Sequence, residues 1–217
     1  DGAVSTPRPA ARRVGHDTPP PVRPGEQRDV ARIAATLTLA AATSRWTRWA
    51  LPEDGRVQRL TRWHELAAHR AVATRTAWVT EEVTSVALWH PPHDAAGTAP
   101  LPDDVRAALT TELPSLSAHR ASVVAGTDRL VAEHLPGGPH WRLLDLATRP
   151  TSRRRGQAAA VLAPALARCD ADGLPAAAVA WSWAATSSLR GSGFEVTAKL
   201  ETADGAMPVW VVVRPPG

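Results

Sequence analysis

The chain has 217 residues, 44% of them hydrophobic, which suits one core-forming domain with or without a tail. No run of about 18 apolar residues exists, the first residues lack a signal-peptide pattern, and a single cysteine, Cys169, excludes an internal disulfide; a cytoplasmic protein is expected. The net charge of +4 is not read as a nucleic-acid signal, because Lys199 is the only lysine, Tyr and Asn are absent, and Ile33, Phe194 and Met207 each stand alone. That depletion follows AT-rich codons, and the acidic residues are interspersed with the basic ones, so no basic stripe forms.

Residues 1 to about 20 are rich in Pro and Arg and are expected to form a flexible tail. A short strand at Val22-Arg23 precedes an Ala-rich helix carrying Val30, Ile33, Leu37 and Leu39. A second helix is predicted over about 55–73, with Val57, Leu60, Trp63, Leu66 and Ala67 on its apolar stripe. Strands are predicted at Ala77–Thr80 and Val83–Trp89, and Pro91-Pro92 stop the second. Two helical segments follow, roughly 102–113 and 115–134. His140–Thr148 is the clearest strand; a helix over about 156–171 comes next, then a strand over 174–181 and a short helix near 184–191. Strands at Phe194–Val196 and Pro208–Val213 complete a mixed α/β pattern.

Chemistry concentrates after His140–Thr148. A strand ends, the chain turns, and Arg153-Arg154-Arg155-Gly156-Gln157-Ala158 opens a helix. The first turn of a helix offers unpaired N–H groups and the positive end of its dipole, which together favour an anion such as pyrophosphate. Gly156 and Ala158 keep side chains small there, and the arginines add bidentate donors.

This segment resembles the (Gln/Arg)-x-x-Gly-x-(Gly/Ala) motif of the GNAT acyltransferases. Leu143-Leu144-Asp145-Leu146 before it, Ala165–Pro175 after it and Gly193-Phe194-Glu195-Val196 near the C-terminus resemble the family's neighbouring segments. The likeness spans about residues 22–215 and is greatest to the branch of puromycin N-acetyltransferase. It implies an α/β GNAT fold with a mixed central sheet and two splayed central strands carrying Leu146 and Ala178. It implies acetyl-CoA, as co-substrate, held by Leu146, Ala147, Thr148 and the loop Arg153, Arg154, Arg155, Gly156, Gln157 and Ala158. It also implies a small-molecule amine as acceptor; from charge and hydropathy no nucleic-acid or membrane partner is expected, and a homodimer stays open.

Several positions depart from the family pattern. Its thiolate-protonating Tyr is Leu189 here, its Asn falls at Ala184-Ala185, a Glu of the strand after the motif helix is Val179, and a central-strand Glu is Arg142. Two readings stay open: acetylation without a side-chain acid, or a GNAT scaffold turned to other chemistry or to binding alone.

Asp145 is the first replacement, as an ion-pair partner of a nearby Arg or as a general base of raised pKa. His90 is a second candidate base; with His93 it has H-x-x-H spacing, but no third ligand is evident and no metal is expected. Ser187 and Ser188 adjoin the lost Tyr and are read as helix caps, with a proton relay through Ser188 as the functional alternative. Among nine tryptophans, Trp46, Trp49, Trp63, Trp89, Trp181 and Trp183 are expected in the core or around an aromatic acceptor cleft. Cys169 is expected to be a buried small residue.

Overall fold

The computed structural model describes residues 20–92 and 100–217. The expected tail, apart from Pro20, and His93 lie outside the described residues. Strand β1 (Val22–Pro24) leads into helices α1 (Val30–Ala41), α2 (Arg45–Ala50) and α3 (Arg56–Ala73). Strands β2 (Ala77–Thr80) and β3 (Ser85–His90) precede α4 (Asp103–Ser115) and α5 (Ala121–Ala132). Then come β4 (Trp141–Thr148), α6 (Gln157–Asp172), β5 (Ala176–Ala180), α7 (Trp183–Arg190), β6 (Glu195–Glu201) and β7 (Pro208–Arg214).

The seven strands form one sheet in the order β1-β2-β3-β4-β5-β7-β6. Every neighbouring pair is antiparallel except β4 and β5, which are parallel. β5 reads Ala-Ala-Ala-Val-Ala because helices cover both of its faces and neither can stay polar. On one face α6 and α7 contribute Val161, Leu162, Ala165, Cys169 and Leu189 to a core with Trp89, Leu143 and Phe194. On the other, α1 and α3 pack Val30, Ile33, Leu37, Ala68 and Ala71 against Val79, Val86 and Leu88. Val131 of α5 packs against Val209 and Val211 on that same side.

Three local readings change. Leu39 is 58% exposed, on the outer side of α1, and Val57 is 57% exposed, in the first turn of α3 where the core has ended. β3 starts two residues later than predicted because Val83 has φ +51° and belongs to the turn. Thr80 Oγ1 closes that turn by accepting the N–H groups of Thr84 and Ser85, both at 3.0 Å. Helix α2 has too few residues to show a period; its start is marked by Ser44, whose Oγ accepts the Thr47 N–H.

Two irregularities shape the centre of the sheet. β4 pairs with β5 only at Trp141, Arg142 and Leu143, facing Ala176, Ala177 and Ala178. From Leu144 to Thr148 it has no β5 partner, so a gap opens between the two parallel strands. Opposite, β3 runs out of register between Leu88 and Trp89, where Asp145 and then Leu143 are the partners and Leu144 is the extra residue of a bulge.

Candidate active site

The turn from β4 into α6 is built to receive an anion. Arg154 and Gly156 have positive φ, +63° and +70°. Left-handed residues in such a turn aim successive N–H groups to one side. Among the described residues, no hydrogen bond is made by the amides of Arg154, Arg155, Gly156, Gln157, Ala158 or Ala159. The next amide, of Ala160, donates to Gly156 O at 3.0 Å. Glycine is needed at 156 for its φ, and the space before it is open, since a Cβ there meets no atom within 4 Å. Arg153, Arg154 and Arg155 are exposed around this run; Arg153 Nε donates to Thr148 O at 3.4 Å.

The turn is anchored from behind. Arg149 Nε donates to Thr36 Oγ1 at 2.9 Å, and Thr36 in turn donates to Val83 O at 2.6 Å. Thr84 Oγ1 donates to Gln157 Oε1 at 3.0 Å, and the Thr148 and Ser85 hydroxyls share a 2.8 Å hydrogen bond. The side chains of Gln157 and Thr148 therefore serve the scaffold, and their backbone is what an anion can use. Ala147 has its side chain in the α1–α3 core, whereas Leu146 packs, half-buried, on the α6 side.

Asp145 lies at the bulge, in register with Leu88, and so on the α1–α3 face of the sheet. Its carboxylate is half-buried and has no hydrogen bond or ion pair among the described residues. Among the described residues the expected Arg partner is absent and no neighbouring charge offsets the loss of water; burial raises its pKa to about 6.

His90 closes β3 on the same face, two residues beyond the partner of Asp145 and in register with Arg142. Its Nδ1 lies 2.6 Å from Pro91 O. Ser187 and Ser188 sit in the middle of α7, exposed, and on the opposite face of the sheet from Asp145. The helix cap is Ser182, whose Oγ accepts the Ala185 N–H at 3.1 Å. Leu189 is buried in the core with Ala178, Ala180 and Phe194. Val179 is half-buried and faces Val211 on the α5 side. Cys169 is fully buried, and burial pushes its thiol up to about 12, which leaves it inert.

Four of the six singled-out tryptophans gather. Trp46 meets Trp63 edge-on at 5.2 Å and Trp181 at 6.1 Å, and Trp49 stacks on Trp181 at 6.0 Å. Trp49 Nε1 donates to Asp204, and Arg120 lies over the Trp49 ring at 5.3 Å while binding Asp204 at 2.7 Å. Trp89 instead is fully buried in the α6 core, and Trp183 is 55% exposed beside Trp210. Two clefts open among the described residues. One of about 510 Å³ lies at Arg48, Trp49, Arg56 and His119; another of about 480 Å³ lies at Arg70, His90, Arg142 and Leu144. Arg70 carried no sequence signal, while Arg142 was noted only as standing in the place of a central-strand Glu of the resembled family.

No family model matches the chain. Its fold is that of solved GNAT acetyltransferases. A Corynebacterium glutamicum protein described as histone acetyltransferase HPA2 and related acetyltransferase superposes with a TM-score of 0.64 at 23% identity, covering 92% of this chain and 98% of that one. The Drosophila melanogaster polyamine N-acetyltransferase gives 0.56 at 14% identity, covering 89% and 98%. The C-terminal condensation domain of Ebony, solved with β-alanyl-dopamine, gives 0.60 at 9% identity, covering 90% and 98%.

Proposed function

We propose that this protein transfers the acetyl group of acetyl-CoA to the amine of a small molecule. The observation that carries this reading is the run of unpaired amides from Arg154 to Ala159, at the mouth of the gap where β4 leaves β5. The amides and Arg153–Arg155 hold the pyrophosphate, and the gap beyond Leu143 takes the pantetheine arm. When bound, acetyl-CoA supplies an activated thioester. The bulged backbone at Leu144–Leu146 positions it, and Asp145 takes a proton from the incoming ammonium. A carboxylate of pKa about 6 is mostly ionised at pH 7.5 and is a better base than an ordinary Asp. The nitrogen attacks the thioester carbon and the C–S bond breaks; with Leu189 buried in the place of an acid, the nitrogen's second proton passes through water to the departing thiolate, and Asp145 releases the first to solvent.

The resemblance to the puromycin N-acetyltransferase branch supports an amine-bearing antibiotic or biosynthetic intermediate as acceptor, since acetylation removes the amine's positive charge. The likeness to solved polyamine and arylalkylamine N-acetyltransferases supports an amine more generally. A second reading, acyl transfer from a different donor, is favoured by the buried Leu189 and by the likeness to the Ebony condensation domain.

The test is thiol release from acetyl-CoA with a panel of primary amines across pH 5–9. Turnover should rise through about pH 6, and Asp145→Asn should lower kcat by about 10²–10⁴-fold with acetyl-CoA affinity intact. Acetyl-CoA binding without release for any amine would favour the second reading. Full turnover by Asp145→Asn would remove Asp145 from the mechanism.

A further inference from the structure

We propose that the cleft between the end of α3 and the paired ends of β3 and β4 receives a carboxylate of the acyl acceptor, held between Arg70 and Arg142. Calling the ligand an acceptor rests on the acyl-transfer reading; the anion site itself does not.

Three elements converge on this space of about 480 Å³. Arg70 comes from the last turn of α3, Arg142 is the second residue of β4, and His90, its cross-strand partner, ends β3. Both arginines are half-buried, and among the described residues neither guanidinium makes a hydrogen bond or an ion pair. Other half-buried arginines are paired: Arg23, Arg62, Arg120 and Arg214 each grip a carboxylate at 2.6–2.7 Å. Burial lowers the pKa of Arg70, and the positive charge of Arg142 lowers it further. Among the described residues, the acidic group that acts on Arg142 is Asp128 of α5, which forms no ion pair with it. Two partly desolvated like charges lining one cleft are stabilised by an anion that bridges them, and a guanidinium fork matches a carboxylate.

The site points towards the reaction. Leu144 lines the cleft and adjoins Asp145. Asp145 lies three positions after Arg142, at most about 10 Å along the chain and less across the bulge. A short-chain amino acid spans that distance with its carboxylate on the arginines and its amine at Asp145. Leu135 and Leu144 give its methylenes an apolar floor.

Calorimetric titration would use butyrate, 4-aminobutyrate, butyramide, butylamine and inorganic phosphate against the wild type, Arg70→Gln and Arg142→Gln. Acetyl-CoA is titrated in parallel. The two carboxylates should bind at least tenfold more tightly than the amide and the amine. Either Gln variant should abolish that preference with acetyl-CoA affinity unchanged, and Arg142→Lys should restore part of it. Equal binding of butyrate and butyramide by the wild type, or no binding of either, overturns the proposal even if the variants fail to fold. Phosphate binding more tightly than butyrate overturns the assignment to a carboxylate. Loss of acetyl-CoA binding with the carboxylate preference intact would sink the acetyltransfer reading alone.

Discussion

Asp145 and His64 set opposite pH dependences on the folded state. Burial lifts the Asp145 carboxyl from 3.8 to about 6, so the folded chain holds that proton more tightly than the unfolded chain. Its stability is full below pH 3.8 and falls by up to about 3 kcal/mol as pH rises through 6. Asp145→Asn should therefore raise the urea midpoint at pH 8, with the gain gone at pH 3.5. His64 is 3% exposed, with Nδ1 3.0 Å from Thr38 Oγ1, and burial lowers its pKa from 6.5 to about 4. The unfolded state then binds the extra proton, and up to about 3 kcal/mol is lost as pH falls from 6.5 towards 4. His64→Gln should flatten urea-unfolding stability across that window; an unchanged slope would mean that His64 keeps its proton equally in both states. Asp145 was legible in the sequence as a charge inside an apolar strand, but its lack of a partner was not, since pairing depends on which side chains the fold brings near.

The element that carries the site is the strand–turn–helix from Trp141 to Asp172. It was legible because each local signal agrees: an apolar strand, a proline, a Gly at the positive-φ position and an Ala-rich helix. What holds the turn in place was not legible, because it comes from distant elements. Thr36 on α1, fully buried, ties Arg149 to the carbonyl of Val83 across more than a hundred residues. Thr36→Val should leave both partners wanting and cost about 1–3 kcal/mol in urea unfolding. It should also weaken acetyl-CoA binding several-fold, because Arg149 is released beside the anion turn. Normal affinity in a destabilised variant would show that the turn holds its shape alone. Ser188 illustrates the converse: its sequence position beside Leu189 looked suitable, yet helical periodicity turns it to solvent on the far face of the sheet.

At the scale of the whole molecule, one sheet separates two tasks. The gap between β4 and β5 leads from the anion turn towards Asp145, and the arginine-lined cleft and the gathered tryptophans lie on the α1–α3–α5 side. The α/β class was legible in the order of predicted elements, and the splay through the family resemblance. The grouping of Trp46, Trp49, Trp63 and Trp181 without Trp89 was not, because it depends on the face each strand residue takes after the bulge. No described helix is long and apolar enough to cross a membrane. The central claim is that the turn at 153–158 binds acetyl-CoA, and calorimetric titration of the wild type beside Gly156→Trp tests it most directly. Micromolar binding by the wild type, lost in the variant while its unfolding midpoint stays near that of the wild type, is the predicted result. No binding by the wild type, or equal binding by both proteins, would contradict it.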